Sequence, residues 1–116
     1  MITPGLYNMT CYQGATFNPI FVSTIDDTPV NYTGYTGKMQ VRRYQKDDSD
    51  LIITFSTASN SLSLTSAGWV APYATAAQTT ALEQGNFFYD IELTDSSGVV
   101  TRYLQGRFTV DGQVTA

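Results

Sequence analysis

Two carboxylates, Asp90 and Glu92, lie two residues apart in the run NFFYDIELTDSSGVVTRYLQGRFTV, residues 86 to 110. On a strand, positions i and i+2 share a face roughly 7 Å apart. That is near the spacing at which inverting glycosidases set an acid and a base on either side of a sugar bond. Such a pair works only in a cleft that gives the two groups unequal environments. The strand that follows carries Arg102 and Arg107. Opposite charges paired across strands contribute roughly 0.2–1 kcal/mol each. A reaction site, a contact surface and a charge-paired hairpin therefore compete for the same four residues. Adjacent positions on one exposed strand face rarely form a cleft, which favours the paired hairpin.

The remaining inventory of reactive groups is short. The chain has no histidine, which removes Ser-His-Asp and Cys-His nucleophiles, histidine bases and most zinc sites. Its single cysteine, Cys11, excludes an internal disulfide and fits folding in a reducing cytosol. Cys11 falls at an apolar strand position with no basic neighbour in sequence, so it reads as a small buried hydrophobe. The cluster Asp47, Asp48 and Asp50 lacks the spacing and glycine of a calcium loop and reads as a solvated turn. Asp26 and Asp27 stand in ordinary turn chemistry before Pro29. Asn8-Met9-Thr10 and Asn31-Tyr32-Thr33 match the glycosylation pattern, but seventeen threonines in 116 residues make chance matches expected. No metal or cofactor is expected.

Net charge is −4 with six Lys and Arg, against the cationic footprint a nucleic-acid partner needs. Charged residues make up 14%, against roughly 25% in an average soluble domain, so Thr, Ser, Asn and Gln must carry solubility. No apolar run is long enough to span a bilayer. The start, MITPGLYNMTCY, has no basic segment followed by an apolar one and is not read as a signal peptide.

These side chains must be positioned by strands. Residues 6–12 alternate, with Tyr7, Met9 and Cys11 on one side, and Gly14 follows as a bend. Phe17–Thr24 is β-rich, but Pro19 makes it an edge or delays its start. Residues 25–37 are turn-rich. Residues 38–44 alternate, with Met39 and Val41 on one side and Lys38, Gln40 and Arg42 on the other. Leu51–Ser56 is apolar and β-branched and reads as a well-buried strand. Residues 62–65 alternate, and residues 69–73 form a short strand limited by Pro72. One helix is expected within 75–85, with Thr75 and Gln78 as a capping box and Gly85 as its C-cap. In the opening run, Phe87, Tyr89, Ile91 and Leu93 share one face. Phe88, Asp90 and Glu92 share the other. The return strand reads Val100, Leu104, Phe108, Val110, interrupted by Arg102, and Gly98 serves the turn between. Seven to nine short strands, without a βαβ rhythm, repeat or linker, predict one all-β domain over 1–116, an antiparallel sandwich or barrel.

Four stretches, in this order, resemble a family of small tailed-bacteriophage virion proteins, similar to the N-terminal domain of phage upper baseplate proteins. They are QGATF, PVNYTGYTGKMQVR, TTALEQGNFFYDIEL and GVVTRYLQGRFTVDGQVT. The family pattern has Asp-Leu where Asn31-Tyr32 stands, and a tyrosine where Phe87 stands. Residues 45–74 match only in alternation. The resemblance implies an immunoglobulin-like antiparallel β-sandwich serving as an adaptor or decoration module. It brings no catalytic residues.

The expectation is thus a non-catalytic structural protein of the virion, assembled in the host bacterial cytoplasm at the tail, baseplate or fibre attachment. Its partners would be other phage structural proteins in symmetric multi-copy assembly, with no nucleic acid and no membrane. Capsid decoration on the phage head and a carbohydrate-binding adhesion module are the alternatives. A glycosidase using Asp90 and Glu92 ranks below both. Tyrosine is favoured at interfaces, so Tyr32 and Tyr35 beside their turn join Phe88, Asp90 and Glu92 as interface candidates. Residues 1–5 and 111–116 are expected to order in the assembly.

Overall fold

A computed structural model describes residues 5–46 and 48–114. Most of the N-terminal arm, Asp47 of the acidic loop and the last two residues of the tail lie outside them.

The chain is an immunoglobulin-like β-sandwich. Its larger sheet contains β1 (Gly5–Leu6), β2 (Met9–Tyr12), β6 (Thr36–Arg42), β7 (Leu51–Ser56), β10 (Gly85–Thr94) and β11 (Val100–Asp111). The order is β1-β11-β10-β6-β7, and β2 also pairs with β11. The smaller sheet has β3 (Phe21–Val22), β9 (Trp69–Pro72) and β8 (Leu62–Leu64), in that order. Between β3 and β6 a separate hairpin forms from β4 (Thr24–Ile25) and β5 (Thr28–Pro29). The first strands run parallel to the last one, and all other pairings are antiparallel. The last, penultimate and third major strands lie side by side in one sheet, with β7 beyond them. This is the strand order of an immunoglobulin-like domain. Eleven strands among the described residues exceed the seven to nine expected because β1, β3, β4 and β5 are two-residue pairings.

The core follows from period-2 alternation. On β10, Phe87, Tyr89, Ile91 and Leu93 are buried, and Met39 and Val41 meet them from β6. Phe17, Phe55 and Phe108 pack ring against ring. Burying each such phenylalanine contributes about 1.5–3 kcal/mol, and this aromatic centre holds the sheets together without a disulfide. Tyr7 stacks edge-on against Phe21 with centroids 5.3 Å apart, joining the two sheets at one side.

Two local expectations are corrected. The run Leu51–Ser56 is the edge of the larger sheet, with Leu51 49% exposed and only Phe55 buried. β-branched residues suit any pleated surface, so their abundance did not specify a central strand. The helix α1 (Ala76–Thr80) has the expected capping box of Thr75 and Gln78, but its C-cap is Ala81. Leu82 turns back on Thr79 through a backbone bond, and the Leu82 carbonyl accepts from Gln13 Nε2 at 2.7 Å. Gly85 instead opens β10.

One side chain locks α1 to the sandwich. Thr79 is fully buried. Its hydroxyl accepts from the Gly14 N–H at 3.1 Å and donates to the Ala15 carbonyl at 2.8 Å. The bend that follows β2 therefore finds its backbone partners on the helix.

Candidate functional site

The outward side chains of β6, β10 and β11 form three rows across the larger sheet. In the first row Lys38 and Arg102 flank Glu92. In the second Gln40 and Gln105 flank Asp90. In the third Arg42 and Arg107 flank Phe88. Each acid on the central strand thus has a cation or an amide on both sides. Arg102 also reaches diagonally to Asp90, Nε to Oδ2 3.6 Å. Both side chains of this ion pair are well exposed, so it adds at most about 1 kcal/mol.

A bulge puts Arg102 there. Ile91 pairs with Leu104, but Glu92 pairs with Arg102, so Tyr103 is an extra residue on β11. In a regular, unbulged strand Arg102 and Leu104, two residues apart, would share a face. With the bulge, Leu104 stays against the core and Arg102 turns outward. The displaced Tyr103 hydroxyl meets the Ser23 hydroxyl at 2.6 Å, bridging the two sheets.

The row residues other than Arg107 floor a concavity of about 640 Å³, extended by Tyr44, Gln45 and Lys46 where the chain leaves β6. Arg42 is fixed within it, donating to the Ser49 carbonyl at 2.7 Å and to Gln40 Oε1 at 3.0 Å. Asp90 and Glu92 do share this concave face, but cations and amides surround them both. Glu92 has a cation on either side, whereas Asp90 has an amide on either side and Arg102 on the diagonal. A polar floor with an aromatic ring between two guanidinium groups suits an anionic or amphipathic contact.

The other candidates are placed as follows. Tyr32, expected at an interface, is only 6% exposed and belongs to the core. Its ring meets that of half-buried Tyr35 edge-on, centroids 5.1 Å apart. Burial raises its hydroxyl above the usual phenol range. Thr33 and Gly34 between the two tyrosines are exposed, yet the Tyr32 ring itself points into the core. Cys11 is buried, and desolvation pushes its thiol up to about 11. Asp26 and Asp27 form the two-residue tip of the β4–β5 hairpin, both with positive φ. Among the described residues, no group of three or more His, Cys, Asp or Glu could hold a metal ion. No helix there is long and apolar enough to cross a membrane.

One further cluster has no signature in local spacing. Arg43 binds Asp50 through Nε at 3.1 Å and both oxygens of Glu83 at 2.9 and 3.0 Å. Its guanidinium also lies 5.8 Å from the Phe87 ring centre. It joins the β6–β7 loop to the segment after α1. Forty residues separate Arg43 from Glu83, so local spacing carries no hint of the contact.

By fold this is an immunoglobulin-like domain, and its polar concavity lies on the outer face of the larger sheet. No family model and no curated protein sequence matches the chain. Among solved structures, murine CRIg is similar at 9% sequence identity and a TM-score of 0.42, covering 91% of this chain and 92% of that one.

Proposed function

We propose that the chain is a non-catalytic structural protein of a tailed-bacteriophage virion, an assembly module of its tail, baseplate or fibre attachment. The single observation that supports a contact role is the three-row face, where both acids of β10 are flanked by cations or amides. Such a face is satisfied enough to be left in water, yet it keeps cations, amides and an aromatic ring for a partner. The phage assignment rests on the four ordered sequence stretches and on nothing in the face itself.

Mass spectrometry and imaging of purified intact particles test this reading. The expected result is density for this sandwich in the particle at tens of copies, at the tail or its attachments. Hundreds of copies over the head would move the protein to capsid decoration. Absence from purified particles would overturn the virion reading altogether.

A further inference from the structure

The charges of this acidic chain are sorted in space. Of its six basic residues, Lys38, Arg42, Lys46, Arg102 and Arg107 lie on the outer face of the larger sheet or its rim. Three of its ten acids, Asp90, Glu92 and Asp111, point outward from the sheet there. The face is therefore cationic in a molecule of net charge −4. Its third row, with Arg42 and Arg107 on either side of Phe88, has no acid at all.

Several of the other acids are already engaged. Asp50 and Glu83 bind Arg43. Asp95 accepts from the Ser97 and Val99 N–H groups within its own turn. Asp26 and Asp27 differ. They are adjacent, exposed and at the tip of a narrow hairpin whose strand residues are all exposed. That hairpin is anchored beside the smaller sheet, where Ser23 bonds Gly68 and Val30 bonds Ser23. Ile25, 68% exposed, stands next to the tip.

The geometry points to a head-to-tail contact between copies of this chain, in which the Asp26–Asp27 tip of one copy enters the cationic concavity of the next. The two carboxylates meet the guanidinium and ammonium groups around the third row, and Ile25 meets the Phe88 and Tyr44 rings. The contact joins two different surfaces, so it propagates into a ring or a filament instead of stopping at a two-fold dimer. It deepens the multi-copy part of the function proposed above and names the surfaces involved.

Sedimentation velocity of the purified chain tests it. A concentration-dependent shift above the monomer is expected at low salt, fading as salt shortens the screening length to roughly 3 Å near 1 M. The variants Asp26→Asn/Asp27→Asn and Arg42→Gln/Lys46→Gln, each verified as folded by its thermal transition, should each associate at least roughly tenfold more weakly. Mixed together they should recover a one-to-one dimer, because the tip variant retains an intact concavity and the concavity variant an intact tip. A monomer at every concentration and salt level would overturn the contact, as would association indifferent to the tip variant. An isologous interface would leave the mixture unrescued. Such failures would leave the virion reading standing if the chain is still found in intact particles, so the two proposals fail separately.

Discussion

The Tyr89 hydroxyl donates to the backbone carbonyl of Tyr7, 82 residues earlier in the chain. Tyr89 is buried in β10, and its register partner on β11 is Gly106. The chain crosses Gly106 at Tyr7, between β1 and β2, so closely that any Cβ on residue 106 would collide with the Tyr7 carbonyl. A tyrosine and a glycine on neighbouring strands thus fix where the N-terminal segment lies on the last strand.

Tyr89→Phe should keep the ring packing and leave the Tyr7 carbonyl without this donor, lowering stability by about 1 kcal/mol. Gly106→Ala forces the N-terminal segment to shift and should cost about 1–3 kcal/mol. Urea denaturation of the two variants checks the order. Equal losses would mean that the close crossing does not constrain the segment.

Thr79→Val removes the hydroxyl that serves Gly14 and Ala15 at nearly constant side-chain volume. Two backbone groups lose their partner, and a loss of about 1–3 kcal/mol is expected. Thr79→Ser retains the hydroxyl and should recover most of it. Thermal melts of both variants, with amide exchange at Gly14 as the local probe, decide the point.

Acid should weaken the fold through Glu83 and Asp95. Hydrogen bonds from Arg43, then its charge, hold Glu83 below its ordinary value of 4.5. The Ser97 hydroxyl, then the Val99 N–H, hold Asp95 below its ordinary 3.8. A depressed folded value means that the stabilisation is present above those ordinary values. It is lost as pH falls through the lower folded ones. The urea midpoint should therefore hold steady above about pH 5 and decline below it. Arg43→Gln should flatten the part of that decline due to Glu83.

Cys11 should be silent toward alkylating reagents in the folded protein. With its thiol raised to about 11, roughly one molecule in ten thousand is thiolate at pH 7, and burial blocks access to that fraction. Iodoacetamide labelling followed by mass spectrometry should show modification only under unfolding conditions. Fast labelling of the native chain would contradict the buried placement.

Much of this architecture was legible in local pattern. Alternation put Met39 and Val41 on one side of β6 and Phe87, Tyr89, Ile91 and Leu93 on one side of β10, and the Thr75–Gln78 pair marked the start of α1. Each of these signals lies within one element. The parts that were not legible depend on contacts between elements. Leu51–Ser56 became an edge because no strand pairs beyond it. Tyr32 went into the core although the turn beside it is exposed. The Arg43 bridge needed two loops brought together. The candidate face was half legible: the acids of β10 were placed on their strand. The cations of β6 and β11 that flank them follow from strand order and from the bulge.

The extra residue on β11 also affects how this chain can be compared with others. A related sandwich lacking Tyr103 would have one residue fewer between Arg102 and Leu104. An ungapped alignment across that point would stay in frame on one side only. On the other side it would set every core position against a solvent position. Similarity in the hairpin would then look weaker than it is, and the true correspondence would emerge only with a gap at Tyr103.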